Sequence, residues 1–183
     1  FLYTQGQAIL TRTWIPIQDS PSNRITYSAD VKVPNDLLAV MSAKNPTQKN
    51  KEGLYHFEMK KPIPAYLIAL AVGDLEYHAF SANSGVYSEP ELLSSCAYEF
   101  DAIPKMISAA EKLYGPYQWE QYDILVLPYS FPFGGMENPM LTFANPTLIA
   151  GDKSATPKAT EVQETPADTN TEEDDPVEII TKP

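Results

Sequence analysis

Few side chains in this sequence have both the type and the setting for chemistry. Glu137 stands in the stretch Ser130-Phe131-Pro132-Phe133-Gly134-Gly135-Met136-Glu137-Asn138-Pro139, between two expected strands. A Gly-Gly pair beside Pro marks a tight turn, and on residue type alone Glu137 reads as an exposed turn carboxylate. Gln7 reads likewise as an ordinary strand amide. The only histidines, His56 and His78, fall in expected strands far apart in sequence. Two imidazoles on one helical face could hold zinc, but that arrangement needs His-Glu-x-x-His, which does not occur, so outward-facing histidines are expected. Cys96 has no basic neighbour in sequence to activate it, which suits a buried, inert thiol better than a nucleophile. No Gly-rich phosphate loop occurs, and no Ser-His-Asp set is specified.

The elements that must position these residues come from a chain of 183 residues, 43% hydrophobic and 11% aromatic, enough for the core of one domain. A net charge of -11 and a pI near 4.5 exclude nucleic acid as a partner, because that binding needs clustered Lys and Arg. One cysteine cannot close an intramolecular disulfide, so no stapled secreted scaffold is expected. No stretch reaches the length of a membrane span, and Phe1-Leu2-Tyr3 lacks the basic start and apolar run of a signal peptide. With no initiator Met, the chain is expected to begin inside a longer protein. A cytoplasmic location is expected, with a periplasmic or secreted one as the alternative.

Between Arg24 and Val33 apolar Ile25, Tyr27, Ala29, Val31 and Val33 alternate with polar residues, which predicts a half-buried strand. Tyr55, Phe57 and Met59 alternate similarly, as do Leu75, Tyr77 and Ala79 after Gly73-Asp74, so a sheet with one wet face follows. Ala65 to Val72 is apolar throughout and predicts a strand buried on both sides. From Asp101 the period changes: Ile103, Ile107, Ala110 and Leu113 predict a helix, capped by Asp101, with Pro104 in its first turn and Gly115-Pro116 as its stop. Tyr122 to Leu127 predicts a buried strand and Leu141 to Phe143 a short one. Residues 155–183 hold eight acidic residues, six Thr, four Pro and no aromatic, too little apolar surface to offset the entropy of ordering, so a disordered tail is expected.

The motif Gly134-Gly135-Met136-Glu137-Asn138 matches the exopeptidase signature of the gluzincin aminopeptidases. Its flanks, Tyr122-Asp123-Ile124-Leu125-Val126-Leu127-Pro128 and Pro146-Thr147-Leu148-Ile149-Ala150-Gly151-Asp152-Lys153-Ser154, resemble the leukotriene A-four hydrolase branch of that family. Gln5-Gly6-Gln7-Ala8 resembles a second segment of the same branch, and the resemblance runs over nearly all of residues 1–154. It implies a mainly β chain with one or two helices: a β-rich, saddle-like amino-terminal domain at 1–114, the first strands of a thermolysin-like α/β zinc peptidase domain at 115–154, and the tail at 155–183.

The same resemblance implies a substrate-binding set of Gln5, Gln7, Ala8, Phe133, Gly134, Gly135, Met136, Glu137 and Asn138. Glu137 would hold the free ammonium of a peptide by charge-assisted hydrogen bonds, with Gln7 beside it. Gly134 and Gly135 would let the peptide backbone approach as an added strand. Phe133 departs from the branch, which often has Tyr there. Zinc serves the parent family, but no zinc-binding helix stands in this sequence, so no metal is expected in this chain. The expected function is part of a zinc metallo-aminopeptidase recognising peptide amino termini, with epoxide hydrolysis as a further branch activity, and without catalytic competence in the isolated chain. The missing remainder of the peptidase is an expected partner. A non-catalytic peptide-binding or interaction module derived from such an enzyme is the alternative, and apolar surface is expected near Ile124, Val126 and Leu141.

Overall fold

The computed structural model describes residues 1–151, so the tail expected at 155–183 lies outside the described residues. Three sheets organise the chain. The first is three-stranded and antiparallel, with β1 (Leu2–Tyr3) and β3 (Leu38–Met41) on either side of β5 (Leu70–Gly73). The second is a ribbon of β2 (Arg24–Lys32) and β4 (Leu54–Pro64), with Tyr27 opposite Met59, Ala29 opposite Phe57 and Val31 opposite Tyr55. Its alternation is the one expected: Tyr55, Phe57 and Met59 are buried, while His56, Glu58 and Lys60 face out.

The third sheet has five strands in the order β6 (Glu76–Ser81), β7 (Ser84–Ser88), β8 (Tyr122–Val126), β10 (Leu141–Ala144) and β9 (Gly135–Met136). The pairs β7–β8 and β8–β10 are parallel and the two outer pairs antiparallel. A parallel pair needs a long crossover, and α1 (Pro90–Glu99) and α2 (Ile103–Tyr114) supply it between β7 and β8. Pro90 opens α1 in its first turn, Glu91 sits favourably near its positive end, and Leu92, Leu93 and Cys96 face the sheet. The sheets change over between Gly73 and Glu76, and Gly115 lies within the crossover.

Both faces of the third sheet are covered. Tyr87, Leu125, Leu141 and Phe143 join the first two sheets in one large core, and Val86, Ile124, Val126 and Ala144 pack with Cys96 on the α1 side. The Cys96 thiol is fully buried, and burial pushes its pKa up, as an inert thiol requires.

Three expectations are corrected. Ala65 to Val72 is not one strand: Ala65–Leu67 is a 3-10 turn, and only Leu70–Gly73 joins a sheet. The Ala65 carbonyl accepts from the Ile68 N–H at 3.0 Å and from the Thr11 hydroxyl at 2.9 Å, which takes it out of any ladder. Asp101 does not cap α2, whose N-cap is Ala102 with no side-chain bond. Ile124, Val126 and Leu141 are buried, since β8 and β10 are interior strands. Exposed apolar residues include Met106, Leu113 and Tyr114 on α2, which buries no residue.

Candidate functional site

The strand β9 forms one edge of the five-stranded sheet. On its inner side Met136 pairs with Phe143 and Gly135 with Ala144, and the Asn145 N–H donates to the Gly134 carbonyl at 3.0 Å. Among the described residues its outer side has no strand partner, so main-chain groups are left available there. A Cβ at Gly135 would stand 3.1 Å from the Phe143 carbonyl, whereas at Gly134 it would meet nothing within 4 Å. Crowding within the chain therefore bears on Gly135 alone, and the space beside Gly134 is free for something else.

Alternation then assigns the next three side chains. Met136 points into the core, Glu137 points out, and Asn138 is 4% exposed. Asn138 fastens the turn: its main-chain N–H donates to the Met136 carbonyl at 3.0 Å, and its side-chain amide reaches the Met136 and Leu141 carbonyls at 3.4 Å each. Its side-chain Nδ2 is thereby engaged within the chain. Glu137 has no hydrogen-bond or ion-pair partner among the described residues.

The second segment follows β1. Thr4 ties it down, its N–H donating to the Leu70 carbonyl at 2.9 Å and its hydroxyl accepting from the Leu70 N–H at 3.0 Å. Gly6 is buried where a Cβ would stand 2.8 Å from the Tyr66 carbonyl, so the chain passes too close for a side chain. The Gln5 side-chain oxygen accepts from the Gln7 N–H at 3.0 Å, the Gln7–Ala8 peptide is cis, and the Gln7 and Ala8 side chains are exposed. Farther along, Asp19 is buried and accepts from the Arg12 N–H at 3.0 Å, holding the 3-10 turn Thr11–Thr13.

An aromatic cluster joins the two segments. Phe131, 1% exposed, meets Tyr3 edge-on at 5.7 Å between centroids, Phe133 at 5.6 Å and Phe143 at 6.2 Å. The Tyr3 hydroxyl donates to Ser130 Oγ at 3.3 Å. Phe133 is half exposed beside Gly134. The histidines stand elsewhere and face out: His56 lies 2.7 Å from Asp30, and His78 lies edge-on to Phe80. No group of three or more His, Cys, Asp or Glu among the described residues could hold a metal ion.

Sequence reasoning missed a buried carboxylate in the same sheet. Asp123 on β8 is 1% exposed, and its Oδ1 accepts from the Tyr77 hydroxyl at 3.1 Å and from Gln121 Nε2 at 2.9 Å. Burial pushes its pKa up to about 6, against the opposing effect of hydrogen bonds from Gln121, Tyr77 and the Gly85 backbone. Burial, and then the Asp123 charge, push the Tyr77 and Tyr87 hydroxyls up as well. The signal in the sequence was an aspartate inside the apolar run Tyr122 to Leu127.

Two family descriptions match this chain: the Peptidase M1 N-terminal domain over residues 1–67 and the Peptidase family M1 domain over residues 98–167. Aminopeptidase B of Rattus norvegicus is 48% identical over 155 residues, which is 84% of this chain and 24% of the relative. Leukotriene A-4 hydrolase of Xenopus laevis is 47% identical over 159 residues, or 84% of this chain and 26% of the relative. The structure of native yeast LTA4 hydrolase superposes with a TM-score of 0.78 at 43% identity, covering 84% of this chain and 24% of that one. The chain thus spans about a quarter of the length of these relatives. Its β-rich first part and the beginning of an α/β domain match the LTA4 hydrolase fold. Matched in both of its domain descriptions and in fold, the chain belongs to the peptidase family M1.

Proposed function

We propose that this chain carries the amino-terminus-recognition part of an M1 aminopeptidase. A peptide lies along the outer edge of β9 as an added strand, bonded to main-chain groups of Gly134, Gly135 and Met136. Its ammonium rests on Glu137, with Gln7 and Ala8 beside it and Phe133 flanking the first side chain. Gln5 and Asn138 act on the site from within the chain, Gln5 through the Gln7 N–H and Asn138 through the Met136 carbonyl. Glu137 carries this reading: it is an outward carboxylate without an internal partner, one residue from an open strand edge.

Hydrolysis in this family runs on zinc, and the described residues do not fit that metal, since they offer no cluster of ligands and His56 is already engaged by Asp30. A binding loop supplies orientation without the main lowering of the barrier, so the isolated chain is proposed to bind peptides without cleaving them. The missing remainder of the peptidase would supply cleavage. Read as a finished protein, the same surface makes a non-catalytic peptide-binding module.

A dye-labelled tetrapeptide with a free amino terminus is expected to bind the chain at least about tenfold more tightly than its N-acetylated form, from one charge-assisted contact. Glu137→Gln is expected to abolish that preference, as read by fluorescence anisotropy; equal binding of both peptides by the unmodified chain would end this reading. Hydrolysis of an aminoacyl anilide is expected to be absent, with zinc content measured on the same sample. Turnover that rises with stoichiometric zinc would overturn the claim of incompetence.

A further inference from the structure

The two halves of the proposed amine site belong to different sheets. Gln5 to Ala8 hang from β1 in the three-stranded sheet, and Gly134 to Glu137 enter β9 at the edge of the five-stranded one. Strand pairing fixes each half within its own sheet and says nothing about the spacing between them. That spacing falls to side chains, and Tyr3 is placed to set it. Its backbone is pinned opposite Ala71 in β5, and the next residue, Thr4, is bonded to Leu70 on both its N–H and its hydroxyl. The Tyr3 ring meets Phe131 at 87° to the ring plane, and its hydroxyl reaches Ser130 Oγ.

The far end of the contact is as firmly held. The Phe131 N–H donates to the Pro128 carbonyl at 3.0 Å, and its own carbonyl accepts from Asn145 Nδ2 at 2.8 Å. Phe131 is also wedged between Phe133 and Phe143, and Phe143 is the residue that pairs with Met136. A short rigid path therefore runs from Thr4 through the Tyr3 ring to Phe131, and from there to β9. Gln5 lies two residues beyond Tyr3 at one end, and Gly134 three residues beyond Phe131 at the other.

We propose that Tyr3 is a positioning residue that sets the separation between the Gln5–Ala8 segment and Glu137, and through it the selectivity for a free amino terminus. This rests on the proposed amine site. An ammonium shared between Glu137 and Gln7 feels small changes in their spacing, because a charge-assisted hydrogen bond weakens steeply once its length or angle departs from the optimum. Tyr3 touches no substrate and acts only through Ser130 and Phe131.

The test is the ratio of dissociation constants for N-acetylated and free-amine forms of one dye-labelled tetrapeptide, measured on the whole chain below its thermal transition. Tyr3→Phe keeps the ring and removes the hydroxyl, and Ser130→Ala removes its acceptor. Each is expected to lower the ratio about threefold, in line with one long, partly exposed hydrogen bond, and the double variant no further. Tyr3→Leu removes the edge-on ring contact as well and is expected to lower the ratio about tenfold. A purely structural role would shift the thermal midpoint and leave the ratio of the folded chain unchanged. If Glu137→Gln abolishes selectivity while Tyr3→Phe and Ser130→Ala keep the full ratio, the positioning role is wrong and the amine site stands. If the unmodified chain shows no selectivity, the amine site is wrong and Tyr3 loses its role with it. Should Tyr3→Leu fail to fold, the two hydroxyl variants decide the matter alone.

Discussion

Gly85→Ala is expected to destabilise the fold by about 4 kcal/mol, the sum of an overpacking cost and a lost hydrogen bond to a buried carboxylate. A Cβ at Gly85 would overlap the ring carbon Cζ and the hydroxyl of Tyr77. An aromatic ring end can often swing aside, but this one is held. Its hydroxyl donates to Asp123, and its ring packs on that of Tyr87, tilted by 43° at 4.6 Å between centroids, while the Tyr87 hydroxyl donates to the Pro46 carbonyl at 3.1 Å. Moving the ring leaves Asp123, itself 1% exposed, with one donor fewer. For a chain of this size the expected fall in Tm is roughly 8 to 16 °C. A thermodynamic cycle with Tyr77→Leu separates the causes, because once the ring is gone the added methyl should cost little. If Gly85→Ala lowers the midpoint as much in the Tyr77→Leu background as in the unmodified chain, the clash is not the reason.

The second large effect is on pH dependence. Asp123 has an ordinary value of 3.8 and a folded value of about 6, so between these limits the folded chain keeps a proton that the unfolded chain has released. Its contribution therefore favours the fold at the acidic end of this window and is lost as pH rises through about 6, a swing of about 3 kcal/mol for a shift of this size. Asp123→Asn keeps a carbonyl for the Tyr77 and Gln121 donors and cannot ionise. Urea unfolding of both chains at pH 4.5 and pH 7 is expected to show the variant gaining on the unmodified chain by most of that swing at the higher pH. Parallel profiles would mean that Asp123 is charged in the fold at both values. Exposed carboxylates elsewhere titrate in both chains and cancel in the comparison.

These two predictions concern residues that no pattern in the sequence connected. The period-two runs were legible because one face of each is wet: Tyr55, Phe57 and Met59 are buried and His56 and Glu58 exposed, as their alternation requires. Helix α2 was legible because Pro104 and Gly115 bracket its period. The motif around Glu137 was legible as a family signature, but the division of labour inside it was not, and packing alone turns Asn138 inward and Glu137 outward. Where a distant residue intervenes, local pattern fails. Ala65 leaves the expected strand because Thr11, 54 residues earlier, takes its carbonyl. The run around Ile124 and Val126 looked unprotected because α1, which shields one of its faces, carries too mixed a pattern to stand out before the fold is known.

Because α2 buries no residue, covalent continuity through it adds little to the sheet that it crosses. The hydrogen bonds from Ser84–Tyr87 to Tyr122–Leu125 are made by residues outside that helix, and of α2 itself Ile103, in its first turn, packs against the sheet. A single protease scission in α2 would therefore leave two pieces interlocked strand against strand, with one piece holding Gln5 to Ala8 and the other Glu137. The crossover is thus a natural split point, at which the proposed recognition surface can be expressed as two complementing halves.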